Sequence, residues 1–507
     1  MSKKKVFCLS ISMALLILLG ATTAAWAQTS STAPIDVLTQ IKELTTKLEA
    51  AQASGSAAEI KADTAFMLVS SALVLLMTPG LAFFYGGLVK SRNVINTMMM
   101  SLILLSIVGV TWVLWGYSLA FAPGTPFIGG LQWAFGNIGS EVSGYLPAMP
   151  YEEVIKAADP KYSELTSYAP TIPHQAFMIY QAMFAIITPA LISGAIVERI
   201  NFKAFVLFMI LWTTVVYSSI AHMLWAKGGL IGLYGGVGAL DFAGGTVVHV
   251  SSGVSALVAA LVIGPRKNHP NQFAPPHNVP HVLIGASLLW FGWFGFNAGS
   301  ALASGALATS AFVATNTATA AASMTWVILE WVLRGKPTSV GWATGAVAGL
   351  VGITPAAGFV TSLSAIFIGS ITSVFCFLAI SLKVKLQIDD SLDTFPVHGV
   401  GGTVGSLLTG VFATKLVNPS GANGLLFGDQ GKLFVGNNPQ QMIYQLADIG
   451  MTIVVSAVGT FLILNLIDLL VGLRVKPSVE EQGLNVNEHG EEAYVQEGDV
   501  YSFKVEE

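Results

Sequence analysis

Charge is what this sequence most lacks. Of its 507 residues only 10% are Asp, Glu, Lys or Arg, while 53% are hydrophobic; soluble globular chains carry about 25% charged residues. So thin a polar complement does not coat a soluble enzyme of this length. The net charge of −4 says nothing about partners, and nothing in the sequence resembles a basic nucleic-acid patch. Cysteine is almost missing as well. Cys8 and Cys376 are the two, and the first is expected to be lost on maturation, so no disulfide framework is available within one chain. There is also no glycine loop of the phosphate-binding pattern.

What the chain has is apolar length. Eleven segments, at residues 65–89, 96–122, 173–198, 202–224, 244–264, 281–300, 306–333, 337–359, 361–382, 397–416 and 443–473, lie near the roughly 20 residues that cross a bilayer as helix. The predicted fold class is an all-α polytopic membrane protein. Met1–Ala27 has a basic front (Lys3, Lys4, Lys5), an apolar centre (Ala14–Gly20) and a small-x-small end (Ala25-Trp26-Ala27), the three parts of a cleaved signal peptide. Residues 28–62 read as an external tether, 63–476 as the membrane domain and the acidic stretch 477–507 as a cytoplasmic tail.

Basic residues sort by connection. Lys90/Arg92, Arg199/Lys203, Arg266/Lys267, Arg334/Lys336, Lys383/Lys385 and Arg474/Lys476 fall on alternate ones, and the others hold only Lys156, Lys161, Lys227, Lys415 and Lys432. The positive-inside rule turns that alternation into a topology with the N-terminus outside and the C-terminus in the cytoplasm. The connection 123–172, with Glu141, Glu152, Glu153, Asp159 and Glu164, reads as a solvated external loop. Glycine pairs with three residues between, such as Gly345/Gly349 and Gly401/Gly405, read as surfaces where helices pack closely.

Two of the apolar runs begin alike. One opens with Asp241-Phe-Ala-Gly-Gly-Thr-Val-Val-His249 and the other with Asp393-Thr-Phe-Pro-Val-His398-Gly-Val-Gly-Gly402. Interrupted segments at matching places of two halves point to a transporter's central site. A lone histidine in a span often does no more than bond a neighbouring helix, but two at equivalent places favour a functional pair. For both rings to reach the midplane, Asp241–Gly245 and Asp393–Val397 must enter as irregular chain lining a cavity.

A second constellation interleaves rings with glycine: Trp290-Phe-Gly-Trp293-Phe294-Gly-Phe296-Asn297-Ala-Gly-Ser300. An interfacial aromatic girdle is the plain alternative, yet the spacing suits a narrow mouth. Trp225, after the fourth segment, fits the same mouth, as do Tyr180 and Phe184, four apart on one helical face of the third. His174, His222, His269, His277, His281 and His489 fall at segment ends or in loops and read as surface groups.

These strings resemble the ammonium transporter family, related to the Rhesus proteins. Asp241–His249, Trp293–Ser300, Asp389–Gly402 and Gly194-Ala-Ile-Val-Glu-Arg199 carry the likeness, with Thr78-Pro-Gly-Leu-Ala-Phe-Phe-Tyr-Gly-Gly-Leu88 and Ile353-Thr-Pro-Ala-Ala-Gly358. It spans about residues 63–494. The resemblance implies eleven transmembrane helices in an inverted 5+5 pseudo-two-fold repeat, and a homotrimer with one pore per subunit. It implies an external ammonium site at Trp225 and Ser300, closed below by Phe184 and Phe296. Trp293 would line the pore with the paired imidazoles of His249 and His398, and Asp241, Asp393 and Thr354 would support it. Tyr180 departs from the phenylalanine found in some relatives. The tail to Tyr494 would dock on a neighbouring subunit, and a PII-type regulator could bind the cytoplasmic face. No cofactor or metal is implied.

Magnitudes select a mechanism for such a pore. Moving a bare ammonium-sized ion into an apolar interior costs on the order of 20 kcal/mol in the idealised Born limit, and several after relaxation. Removing its proton at neutral pH, by analogy with a lysine pKa, costs about 4–5 kcal/mol. Splitting the charge off is cheaper, and imidazoles can accept, donate and pass a proton. The expected function is therefore ammonium uptake, with methylammonium as an analogue, through deprotonation, conduction of ammonia and co-transfer of the proton. The rival readings are a neutral gas channel of Rhesus type for ammonia or carbon dioxide, an ammonium sensor, and an intramembrane hydrolase, for which neither histidine has a third ligand or adjacent nucleophile. The expected location is a bacterial inner membrane, and the chain is not expected to be an enzyme.

Overall fold

Apolar runs of this length satisfy their backbone in lipid by forming helices, and that is what these form. The computed structural model describes residues 37–136, 168–169, 171–233, 235–271, 275–428 and 432–494. Among them there is no named strand, only isolated bridges such as Ile200 with Arg474. The predicted signal peptide and the acidic residues of the 123–172 connection lie outside the described residues.

The chain divides into two compact units, Met1–Ala57 and Ala58–Glu507. The first is helical from Val37. The second is built from α1 (Ala57–Leu88), α2 (Ser91–Phe121), α3 (His174–Ile196), α4 (Phe202–Trp225), α5 (Gly245–Ile263), α6 (Val279–Gly299) and α7 (Ala306–Arg334). There follow α8 (Ser339–Ile353) and α9 (Ser362–Lys385), then α10, in which a π-helical turn Phe395–Val400 runs into Gly401–Phe412, and α11 (Gln440–Val471).

Nine of these helices, among the described residues, are long and apolar enough to cross a membrane. All eleven predicted segments fall on helix. The two outside the nine are α8 and α10. The segment predicted to reach residue 359 ends its helix at Ile353, and the chain continues as turns to Phe359.

Burial separates the helices by role. The most apolar window of α3 is 89% buried and that of α11 only 28%, so α3 is the interior helix and α11 presents most of its surface outward. Small residues set the crossings, because apolar side chains gain little by leaving lipid. A Cβ on Gly345 would lie 2.5 Å from the Trp326 Cβ, and one on Gly349 would lie 2.6 Å from the Ala322 Cβ. α7 and α8 therefore meet through glycine. The crossing of α5 and α10 works the same way. Gly402 sits against the Gly245 carbonyl and the His249 Cβ, and Gly253 against the Gly399 backbone.

One end of the bundle is tied by ions. The Arg266 guanidinium meets Glu198 at 2.6 Å and Asp389 at 2.7 Å, and the Arg266 backbone N–H also donates to Asp389. Arg199, fully buried, donates to the carbonyls of Ala195, Gly264 and Asp389 and to Ser391 Oγ. Burial pushes the Asp389 carboxyl up, but Arg266 and Arg199 outweigh it and bring its pKa down from the ordinary 3.8 to about 2. A depressed carboxylate contributes stability above its unfolded pKa and loses it as pH falls through the folded value. This end should therefore weaken as pH drops from 3.8 toward 2. Arg266→Ala takes the guanidinium away from two buried carboxylates, Glu198 and Asp389, and is expected to cost about 3 kcal/mol. A melting curve of the detergent-solubilised variant checks this, and an unchanged midpoint contradicts it.

The tail docks at the same end of its own chain. Glu480 pairs with Arg474 and accepts from the Lys267 N–H. The Leu484 N–H donates to Asn93, Asn485 Nδ2 donates to the Ser91 carbonyl, and Glu488 accepts from the Phe202 N–H. Tyr494 ends this contact at His277, 3.0 Å away.

Candidate functional site

Both span histidines owe their place to a carboxylate eight residues earlier. The Asp241 carboxylate accepts from the backbone N–H groups of Gly244 (2.8 Å), Gly245 (2.6 Å), Thr246 (3.0 Å) and Val247 (3.1 Å), and from Thr246 Oγ1 (2.7 Å). These are N–H groups that the first turn of a helix leaves unpaired. Reaching them requires a sharp entry, and Gly244 supplies it with φ +111°, a region that side chains disfavour. In the second half Asp390 does the same, accepting from the N–H groups of Thr394 (3.1 Å) and Phe395 (2.7 Å).

The sequence pairing of Asp393 with Asp241 is thus not the structural one. Asp393 has φ +59° and forms an ion pair with Lys383 at 2.5 Å. Because Asp390 starts the helix, Thr394–Val397 are helical and not the irregular chain expected there; the irregular stretch lies before Thr394. In the first half Asp241–Gly244 is irregular, as expected, and helix begins at Gly245. Both helices open with a π-helical turn, Gly245–Val250 and Phe395–Val400, and each turn carries its histidine.

The two imidazoles meet between the crossing helices. His249 Nδ1 lies 3.2 Å from His398 Nδ1, with ring centroids 5.2 Å apart. Both residues are buried. An Nδ1–Nδ1 hydrogen bond needs one donor and one acceptor, so the tautomers are coupled: the ring that donates at Nδ1 offers a lone pair at Nε2, and its partner offers Nε2–H. Trp293 stacks on His249 at 5.3 Å and donates its indole N–H to Thr354 Oγ1 at 2.8 Å. A cavity lined by Leu81, Ile187, Leu191, Val248, Trp293 and the two histidines lies beside them.

Phe296 lines one side of this cavity, and Phe184 lies behind it. Their rings stack at 4.2 Å with 28° between planes, and Phe296 also flanks His249. Trp225 meets Phe184 edge-on at 5.7 Å and donates its indole N–H to the Asp241 carbonyl at 3.0 Å. Tyr180 packs on Phe184 at 5.0 Å. Its hydroxyl donates to the Phe296 carbonyl at 2.7 Å and lies 3.2 Å from Ser300 Oγ, so the extra oxygen anchors α6 next to this stacked pair. Ser300 donates to the Phe296 carbonyl at 2.9 Å. Its oxygen lone pairs are then free to accept. Tyr180, Phe184, Trp225, Asp241, His249, Trp293, Phe296, Ser300, Thr354 and His398 thus join one continuous contact path. Asp393 does not join it, while Trp290 and Phe294 pack instead against Trp342 and Phe312. Among the described residues, no group of three His, Cys, Asp or Glu is placed to hold a metal.

Residues 65–494 match the family model described as Ammonium Transporter Family. The chain belongs to the ammonium transporter family. An ammonium transporter of Bacillus subtilis is 46% identical over 433 residues, covering 85% of this chain and 98% of that one. The ammonium transporter Amt1 of Archaeoglobus fulgidus is 41% identical over 434 residues, covering 85% and 99%. Among solved structures, Saccharomyces cerevisiae Mep2 has a TM-score of 0.70 at 35% identity, covering 82% of this chain and 87% of that one. A structure named as a sensor Amt protein has a TM-score of 0.70 at 27% identity, covering 85% and 99%. This member of the ammonium transporter family is accordingly a multi-pass helical membrane protein.

Two readings of its histidines need correction. His174 and His222 are buried, not on the surface. His222 places Nδ1 3.0 Å from the Ala120 carbonyl and Nε2 2.8 Å from the Thr125 carbonyl, and His174 packs edge-on against Trp133 at 4.7 Å. A position near a helix end does not mean exposure where a folded loop covers that end. Asp390 was overlooked, although its spacing to His398 equals that of Asp241 to His249.

Proposed function

We propose that this chain takes up ammonium across a bacterial inner membrane. In this reading it has eleven spans in an inverted 5+5 repeat, an external N-terminus after removal of residues 1–27, and a cytoplasmic tail. It works as a homotrimer, with a PII-type regulator as a candidate partner at the cytoplasmic face. The observation that carries the reading is the Nδ1–Nδ1 contact of His249 and His398 at 3.2 Å beside the stacked Phe184–Phe296 pair. Trp225 and Ser300 hold the incoming cation, one through its ring face and the other through an oxygen lone pair. One hydroxyl among rings replaces little of a metal ion's hydration, so metal ions are left outside. The cation gives its proton to the free Nε2 lone pair of the imidazole pair, ammonia crosses beside the rings, and the other ring releases its Nε2 proton onward, so that the coupled tautomers hand one proton along.

A neutral gas channel has no use for the cation-binding pair. A sensor reading draws on the likeness to the solved sensor Amt protein. Uptake of labelled methylammonium by a transporter-deficient strain separates transport from sensing. The wild type is expected to restore uptake, and an expressed but inactive wild type contradicts the proposal. Ser300→Ala is expected to raise the half-saturation concentration about tenfold or more, the value of a hydrogen bond to a charged group. Trp225→Leu should raise it by about fivefold to thirtyfold, corresponding to 1–2 kcal/mol of cation–π contact. Unchanged affinity in both variants would remove the recruitment site from the account.

A further inference from the structure

The turn that leads from Ser300 to α7 is fastened by a residue 241 positions earlier than its far end. Asp63 lies near the start of α1 and is buried. Its Oδ1 accepts from both donors of Ser304, the backbone N–H and the hydroxyl, each at 2.7 Å. The packing of α1 on α6 explains the reach. Close contacts run antiparallel from Gly87 against Val282, through Gly292 against Met77, to Gly299 against Ser70. Asp63 precedes Ser70 by two helical turns, about 10 Å, which carries it past the end of α6 to the turn beyond.

That turn needs a hold. The N–H groups of Ser300 and Ala301 donate to the Asn297 and Ala298 carbonyls, and the Leu302 N–H donates to the Gly299 carbonyl at 2.8 Å. Leu302 has φ +56°, a left-handed conformation that a bulky side chain keeps only where its surroundings impose it. On one side of Leu302 the chain is tied by Ser300, whose hydroxyl donates to the Phe296 carbonyl. On the other side it is tied by Asp63. We propose that Asp63 is a positioning residue for Ser300: its grip on Ser304 keeps Leu302 in the turn and so fixes the Ser300 hydroxyl beside Tyr180. Without that grip Leu302 relaxes out of the left-handed region, and the Ser300 oxygen no longer stands at its 3.2 Å from the Tyr180 hydroxyl. Asp63 acts through the turn and does not hold the cation itself.

The hold on the turn stands on hydrogen bonds; its effect on affinity rests on the uptake reading. Hydrogen exchange of the amides of residues 301–305 in the purified full-length protein, read by mass spectrometry, needs no transport. Asp63→Ala is expected to speed that exchange about tenfold, and unchanged exchange overturns the proposal. In methylammonium uptake the same variant is expected to raise the half-saturation concentration about tenfold, the low end for a hydrogen bond to a charged group, at an unchanged maximal rate per folded transporter. A lower maximal rate at unchanged half-saturation would mark a merely structural role and overturns the positioning. Asp63→Asn keeps an oxygen that accepts from both donors and is expected to stay near the wild type in both readouts. An Asn variant as impaired as the Ala variant overturns the acceptor role. Ser304→Ala, at the exposed end of the contact, loses only the hydroxyl bond and is expected to weaken half-saturation about threefold. It decides the matter if Asp63→Ala does not fold, since wild-type affinity and wild-type exchange in Ser304→Ala overturn the proposal.

Discussion

Asp241→Ala is expected to reduce methylammonium uptake about a hundredfold or more, a loss of roughly 3 kcal/mol or above at 1.4 kcal/mol per decade. The carboxylate accepts from four backbone N–H groups and one hydroxyl. Gly244, Gly245, Thr246 and Val247 are all buried, so water does not simply replace it. Each buried donor left without a partner costs about 1–3 kcal/mol, and the negative charge at a helix N-terminus contributes further. The first turn of α5 is then free to shift, and His249 with it. Asp241→Asn keeps one acceptor oxygen and should fall between the wild type and Ala. Uptake measured beside the melting midpoint of each variant checks both parts. Wild-type uptake by the Ala variant would show that the carboxylate does not hold the site.

His249→Leu is expected to abolish ammonium-evoked current, by about a hundredfold or more on the scale set by losing a positioned proton acceptor. Leucine fills similar space but has no lone pair. The lining of the cavity is otherwise largely apolar, with Leu81, Ile187, Leu191 and Val248, so under the proposed mechanism tracer ammonia is expected to pass still while the proton loses its path. His398→Leu should do the same, because the two rings share one hydrogen bond. Groups that act as one unit are not additive, so the double variant should be no worse than either single one. Currents from proteoliposomes after an ammonium jump, beside tracer uptake by the same vesicles, make the comparison. A double variant much weaker than both singles would mean that the rings act independently.

Much of this site was legible in the sequence for a definite reason. Histidine is conspicuous in lipid-spanning runs because a polar ring needs a partner there, and His249 and His398 do come together, with Trp293 and Phe296 beside them. Segment positions were readable because apolar length leaves helix as the only outcome. The reading failed where the deciding interaction is a backbone one. Asp390 and Asp393 are both acids before a histidine, and only the position of Thr394 and Phe395 N–H groups shows which of them starts the helix. His222 was misread because its cover comes from the loop carrying Thr125, which no periodicity announces. Tyr180 carried a visible signal, an added hydroxyl, but not its partner, the Phe296 carbonyl.

The account stands most directly on charge movement through the wild-type protein. Purified protein in sealed vesicles, given an inward ammonium gradient at neutral pH on a capacitive electrode, should give a transient current that disappears in the His249→Leu and His398→Leu variants. Tracer uptake by wild-type vesicles with no current at any ammonium concentration would contradict it.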